Sequence, residues 1–255
     1  MLKKIATIIY FFGFDPRKTY YSIIGLPYFI RDFFILLKTR KRKDDMNVKF
    51  FPILSERFED SGTVKGHYFH QDIWAAKKIH LSAPSSHLDV GSRIDGFIAH
   101  LLVFMNVTVL DIRELKSNVK GLTFKQANLM EAEYFDFEPV ESVSCLHTLE
   151  HLGLGRYGDP LDLDGWKKGV KNLAMTTKPG GKLYLSVPVG NERIEFNAHR
   201  VFNPSTIVTE VQKHSLVLLS FSMVDDFGHF TEGVEPSSAS EFNYGCGLYE
   251  FQKDS

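Results

Sequence analysis

The chain has 255 residues, 44% hydrophobic and 24% charged, with a net charge of −1. That composition is globular and long enough for one large α/β domain with a modest appendage, and the charge excludes global attraction to nucleic acid. The two cysteines, Cys145 and Cys246, give no disulfide framework, which fits a reducing, cytoplasmic compartment.

The N-terminal stretch differs from the rest. Ile5 to Phe14 is apolar behind Lys3 and Lys4 and imitates a signal peptide. The run is short, however, and Asp15-Pro16-Arg17-Lys18 follows it instead of a small-residue cleavage site. It is also too short to span a bilayer. Tyr20 to Leu37 is rich in Ile, Leu, Phe and Tyr but carries Arg31 and Asp32, and Lys38, Arg40, Lys41, Arg42 and Lys43 then form a basic block. An apolar, aromatic helix beside a polybasic patch is the pattern of an interfacial segment on an anionic leaflet. The plainer reading is a helical arm with a solvated basic linker. Residues 1–45 are expected to form this arm and residues 46–255 the main domain. Contact is expected to be peripheral, on the inner face of a membrane, rather than a span.

Gly66 to Ile79 has the spacing of a helix, with Tyr68, Phe69, Trp74 and the alanines on an apolar face and His67, His70, Gln71 and Asp72 crowding its start. Pro84 to Arg113 then reads as one β-α-β unit. His87–Val90 and Val107–Leu110 are apolar runs, Gly91-Ser92 is a tight turn, and Asp95 to Phe104 is expected to be helical. Such a turn sets backbone N–H groups at the carboxyl end of a parallel sheet, where nucleotide-like cofactors bind. Asp111, closing the second strand, is placed to accept hydrogen bonds from both ribose hydroxyls. As an ordinary structural residue it would cap a turn.

Leu122 to Ala127 is a third strand, followed by Asn128-Leu129, where a side-chain acceptor and the next backbone N–H can meet an adenine ring. Val140 to Leu146 is a fourth, ending in His147-Thr148-Leu149-Glu150-His151. Ionisable groups at the end of a central strand lie where α/β proteins place their chemistry. If a helix starts here, His147 and His151 share a face. Two histidines with no evident third ligand argue against a metal, and no Cys/His cluster has zinc spacing. A histidine base with Glu150 as orienter is the stronger reading.

Gly153 to Gly165 is a loop with Asp159, Asp162 and Asp164, carboxylates able to bind sugar hydroxyls or a divalent cation, or simply to shape the loop. Trp166 to Met175 is an amphipathic helix, Lys178-Pro179-Gly180-Gly181 a sharp turn, and Lys182 to Val187 a fifth strand. His199 and Arg200 are expected on a loop just before a helix that starts at Asn203-Pro204. Leu216–Phe221 and Gly247–Gln252 are the last strands, joined by a long excursion that favours an antiparallel edge pair.

This order resembles a class I S-adenosylmethionine-dependent methyltransferase, and individual motifs carry the likeness. L-D-V-G-S resembles the family's glycine motif, V-L-D its ribose acid and F-K-Q-A-N-L its adenine segment. S-V-S-C-L-H-T-L-E-H-L resembles its fourth-strand segment, and T-K-P-G-G-K-L-Y-L-S-V-P and A-H-R-V-F-N-P-S-T-I resemble the segments around the fifth strand. The likeness covers roughly residues 67–252. H-Y-F-x-Q-D-x-W, D-V-G-S-R-x-D-G-F and G-L-G-R-Y-G-D-P-L-D resemble an uncharacterised subfamily, a domain of unknown function, some members of which occur beside cell-surface polysaccharide genes.

The resemblance implies a Rossmann-like, mostly parallel sheet with an antiparallel edge strand. It implies S-adenosyl-L-methionine as cofactor, held by Asp89, Gly91, Ser92, Asp111, Ile112, Asn128 and Leu129. His151, then His199 or His147, would be the base for methyl transfer to a small-molecule or glycan hydroxyl oriented by Asp159, Asp162 and Asp164. Two departures stand out. The family's later glycines fall at Arg93 and Asp95, with Gly96 one step on, and Asn128 replaces an acid. A nicotinamide enzyme is disfavoured because G-S-R-I-D-G lacks the close-packed glycines a pyrophosphate needs. The alternative is a non-catalytic fold acting as a membrane-surface adaptor through residues 1–45.

Overall fold

The computed structural model describes residues 10, 12–39, 47–131 and 138–255. The basic residues Arg40 to Lys43, and most of the Ile5–Phe14 run, lie outside the described residues. The chain divides into two units, Met1–Thr63 and Val64–Ser255.

The first unit contains one long helix, α1 (Pro16–Thr39). Asp15 starts it, its Oδ1 accepting the Arg17 and Lys18 N–H groups at 2.9 and 3.0 Å. The segment after residue 47 crosses α1 at Gly25, where an added Cβ would lie 2.0 Å from the Leu54 carbonyl oxygen. Phe50 packs edge-on against Phe29 and Phe33, and Phe58 stacks on Tyr21. Tyr20, Ile23, Leu26, Ile30, Phe34 and Leu37 stay exposed. Their three- and four-residue spacing makes one apolar stripe along the helix.

The second unit is a sheet between two helical layers. Its elements are α2 (His67–Ser82), β1 (His87–Val90), a π turn (Ile94–Ile98) running into α3 (Ala99–Leu101), β2 (Val107–Asp111), β3 (Leu122–Gln126), β4 (Val140–Leu146) and α4 (Gly165–Thr176). They continue with β5 (Thr177–Val189), β6 (Arg193–Glu195), β7 (His199–Val201), α5 (Pro204–Gln212), β8 (Leu216–Val224), β9 (Phe230–Thr231) and β10 (Gly245–Lys253). The main sheet has the order β3-β2-β1-β4-β5-β10-β8-β9. β1 to β5 pair in parallel, β10 runs antiparallel between β5 and β8, and β9 is an antiparallel edge.

Alternation along the strands fills both layers. Leu183, Leu185, Val187 and Val189 of β5 pack with Trp166, Val170 and Leu173 of α4 and Ile207 and Val211 of α5. Tyr184 faces the other way and joins Trp74 and Ile79 of α2 with Phe97, Ile98 and Leu101. β1 is buried along its whole length, as a central parallel strand must be.

Three local expectations change. The helix expected over Asp95 to Phe104 begins as a π turn, with Ile98 N–H donating to the Arg93 carbonyl at 3.3 Å. A π turn holds one residue more than an α turn. Gly96 thereby faces α2, where an added Cβ would lie 2.6 Å from Asp72 Oδ2. The Lys178–Gly181 turn is a bulge inside β5, which opposes Thr177 to Val140 and Lys182 to Ser142. His199 and Arg200 are not in a loop but in β7, paired with β6.

Candidate active site

The strand order reverses between β1 and β4. In open α/β sheets the crevice at such a switch, beyond the carboxyl ends of the strands, is where ligands bind. A cleft of about 510 Å³ lies there, lined by the ends of β1 to β4 and the following loops.

The first turn is held from behind by Asp89. Its Oδ2 accepts the Ser92 N–H at 3.0 Å, and its Oδ1 accepts the Ser92 and Ser144 hydroxyls at 2.7 and 2.6 Å. Burial raises its carboxyl to about 6, against those three donors. Because the Ser144 proton goes to Asp89, His87 Nε2, 2.9 Å away, donates to Ser144, and His87 Nδ1 accepts from the Ser142 hydroxyl at 2.8 Å. Burial lowers His87 to about 3, so it is neutral. Asp89 and Ser92 therefore shape the turn from outside the cleft. Gly91 does line it. Its φ is +72°, and an added Cβ would lie 2.5 Å from Thr148 Cγ2. Only glycine fits both demands.

Asp111, Ile112, Asn128 and Leu129 line the adjoining wall. Asp111 is already engaged by Arg113, whose Nη2 lies 2.7 Å from Oδ2 and whose Nε and backbone N–H donate to Oδ1 at 3.0 and 2.8 Å. The guanidinium also lies 4.5 Å from the Tyr157 ring centroid. Both side chains line the cleft. Asn128 Oδ1 accepts the Met130 N–H at 3.0 Å, which fixes the side chain at the end of β3. Arg93 pairs with Asp95 on the surface, at 3.0 and 3.2 Å, outside this cleft.

β4 ends in three ionisable groups organised by Glu150. No α-helix starts here. Leu149–His151 is a single 3-10 turn, and His147 has a φ of +51°. His147 Nδ1 still donates to Glu150 Oε1 at 2.7 Å, and His151 Nε2 lies 3.7 Å from the same oxygen. Burial opposes a charge on His147, but Cys246 and Glu150 override it and raise the imidazole well above its ordinary value. Burial likewise pushes Glu150 up, and the two histidines override it downward. His151 is different. Burial lowers it, so its neutral form prevails. Its Nδ1–H donates to the Ala198 carbonyl at 2.6 Å, which leaves Nε2 as the acceptor.

The three loop acids have separate placements. Asp159 lines the cleft, but its carboxylate is taken by the Gly153, Gly155 and Tyr157 N–H groups at 2.7, 3.3 and 3.2 Å. Asp162 pairs with Lys168 at 2.6 Å and Asp164 with Lys167 at 2.7 Å, both away from the cleft. Arg200 ties the loop down, donating to the Leu152 carbonyl at 2.6 Å and the Leu163 carbonyl at 3.2 Å. His199 stands behind the site, 3.2 Å from Glu195 Oε2 and 6.4 Å from the His151 ring.

The structure thus brings Gly91, Asp111, Ile112, Asn128, Leu129, His147, His151 and Asp159 to one cleft. It places Asp89, Ser92, His199, Asp162 and Asp164 outside it. Sequence reasoning missed Arg113, Thr148 and Tyr157. Arg113, two residues after the strand-end acid, was the one signal available, and it reads as the start of a polar link.

Comparison with solved structures shows the class I methyltransferase fold. The N-methyltransferase NodS from Bradyrhizobium japonicum WM9, in complex with S-adenosyl-L-homocysteine, aligns over 74% of this chain and 88% of its own, with TM-score 0.52 and 14% identity. The 1,6-didemethyltoxoflavin N1-methyltransferase of Burkholderia thailandensis aligns over 72% and 79%, with TM-score 0.50 and 14% identity. The [4+2]-cyclase SpnF shares the fold as well, over 71% and 82%, with TM-score 0.51 and 11% identity. No curated protein sequence matches the chain. A family model described as Caenorhabditis protein of unknown function, DUF268, matches residues 96–234. That is more than half of the sequence, and the chain belongs to this family.

Proposed function

We propose that the chain is an S-adenosylmethionine-dependent methyltransferase acting on a hydroxyl of a sugar or glycan intermediate. The observation that carries the cofactor assignment is the cradle at the strand switch. Gly91, where any Cβ would crowd Thr148 at a positive φ, sits beside Asp111 at the end of β2 and Asn128 just after β3. These residues fit the group. Asp111 would take the ribose hydroxyls once Arg113 swings aside, and Asn128 with the Leu129 N–H would meet the adenine edge. Gly91 would let the amino-acid end approach the backbone. The bound cofactor supplies an electrophilic methyl group, so the protein needs to position the acceptor, exclude water and remove a proton.

His151 is suited to the proton. It lines the cleft, is held neutral by burial, and has Nε2 free to accept while Nδ1 is anchored on Ala198. Once protonated, Nε2 lies beside the Glu150 carboxylate. Tyr157 lines the cleft and would offer an acceptor its ring once Arg113 swings aside. The sugar acceptor rests on the subfamily resemblance. The test is incubation of the full chain with methyl-labelled cofactor and extracted glycans, lipid-linked intermediates and small metabolites. Label in a glycan or lipid-linked fraction supports the reading, and label confined to small metabolites replaces the acceptor.

A cytoplasmic protein peripheral to the inner face of a membrane is the reading for α1, whose exposed apolar stripe ends beside Lys38 in the last turn. The helix is about 36 Å long, which by length and composition would also suffice to cross a bilayer. A second reading makes the fold a membrane-surface adaptor without catalysis, and the Arg113–Asp111 clamp is the observation favouring it. Flotation with anionic vesicles, together with absence of cofactor binding, would select it.

A further inference from the structure

We infer that His67, His147 and Cys246 form a binding site for a thiophilic divalent cation of the zinc class. The three residues come from the start of α2, the end of β4 and the start of β10. One ligand atom from each lies within 4.8 Å of the other two. A tetrahedral ion with bonds of roughly 2.0–2.3 Å needs ligand atoms roughly 3.3–3.8 Å apart. At its widest the cluster therefore has to contract by about 1 Å, which side-chain rotation supplies.

His147 Nε2 points independently to a ligand. The side chain is 4% exposed, yet this nitrogen has no hydrogen-bond partner among the described residues. A buried ring nitrogen left unmatched is costly. The other nitrogen, Nδ1, donates to the Glu150 carboxylate at 2.7 Å. An incoming cation would displace the proton that the charged imidazole carries on Nε2, and the carboxylate fixes the ring plane, which is the outer-shell arrangement of a metal-bound histidine.

The backbone agrees. His147 is a non-glycine residue at φ +51°, held there while its N–H donates to the Ser186 carbonyl and hydroxyl at 3.0 and 3.1 Å. Strain of this kind persists where the surroundings impose it, often at functional sites. The His67 ring lies nearly parallel to His147, with centroids 5.2 Å apart and planes 7° apart. The Cys246 sulfur is fully buried and reduced. A thiolate with two imidazoles selects zinc-class ions over magnesium or calcium.

Three protein ligands leave one coordination position open. The ion would join α2, β4 and β10 behind the cleft that His147 lines. It would also withdraw His147 from acid–base work. In the sequence, His147 and His151 argue against a metal because no third ligand is evident beside them. The other two ligands come from distant parts of the chain.

The inference does not depend on methyl transfer. The test uses tag-free full chain, stripped with a chelator and titrated with Co²⁺. The expected result is equimolar uptake with a thiolate-to-cobalt charge-transfer band, displaced by Zn²⁺. Cys246→Ser should lose the band. His67→Gln, a half-buried position at a helix start that leaves the sheet core intact, should weaken uptake at least tenfold. His229→Gln, on the exposed far edge, should bind as the wild type does. Wild-type protein without the band, or His67→Gln with wild-type affinity, overturns the inference.

Discussion

Arg113 occupies the carboxylate of Asp111 through two side-chain contacts, Nη2 to Oδ2 at 2.7 Å and Nε to Oδ1 at 3.0 Å. The Arg113 side chain is 55% exposed, so the pair contributes only about 0.2–1 kcal/mol and a ribose can displace it. Arg113→Gln should therefore tighten S-adenosylhomocysteine binding, by up to about fivefold. Asp111→Asn should weaken it by roughly ten- to a hundredfold, the size of a lost charge-assisted pair. Thermal-shift titration of both variants checks this. Weaker binding in Arg113→Gln would show that the arginine holds the cofactor instead of competing with it.

In the proposed methyl transfer, His151 would take the acceptor's proton. Burial holds its proton affinity below the ordinary histidine value of 6.5, so the base form prevails at neutral pH. kcat/KM should stay flat through neutrality and fall only below that value. His151→Gln should lower kcat by about 10²–10⁴-fold and remove the acid limb, with cofactor affinity kept within a few-fold. A variant of full activity would move the base elsewhere.

Asp89 gives a stability signature. Burial raises its carboxyl from 3.8 to about 6, so the folded state holds this proton more tightly than the unfolded chain does. Its contribution favours the fold below about pH 4 and is lost as pH rises through about 6, up to about 3 kcal/mol. Asp89→Asn cannot titrate. It also turns an amide donor toward the Ser92 N–H, a cost of about 1–3 kcal/mol. The gap in melting temperature between wild type and variant should be widest near pH 4 and narrow toward pH 7. A gap constant with pH would mean that Asp89 does not titrate in this window.

Gly91 and Thr148 should behave as a coupled pair. Gly91→Ala costs about 1–2 kcal/mol for its positive φ alone and drives a methyl into Thr148. Adding Thr148→Ser removes the Cγ2 contact at 2.5 Å and should recover part of the loss. Urea unfolding of the double-mutant cycle measures the coupling, and strict additivity would show that the contact carries no energy.

Much of the fold is legible in the sequence, and the residues say why. The runs His87–Val90, Val107–Leu110 and Val140–Leu146 are short, apolar and closed by turn residues, which marks buried parallel strands. Asn203 and Pro204 mark the start of α5, where the Asn203 side chain accepts the Ser205 N–H. The π turn at Ile94–Ile98 is illegible because it answers to tertiary packing, with Gly96 seated against Asp72. At the site, sequence locates the ends of β2, β3 and β4 but not which way the side chains turn. Asp89 and Asp159 read as ligand-facing acids, yet they spend their oxygens on Ser92, Ser144 and loop N–H groups. Arg113 and Tyr157 are unremarkable until the loop folds back and sets them over Asp111. Cys246 reads as a lone thiol until β10 inserts beside β5.

The central claim is that the cleft at the strand switch holds S-adenosylmethionine through Asp111. Isothermal titration of the full chain with S-adenosylhomocysteine, with NAD as the comparison ligand, tests it most directly. The expected result is saturable binding of S-adenosylhomocysteine, loss of at least tenfold in affinity on Asp111→Asn, and no heat with NAD. Binding of NAD, or S-adenosylhomocysteine affinity unchanged in Asp111→Asn, would contradict it.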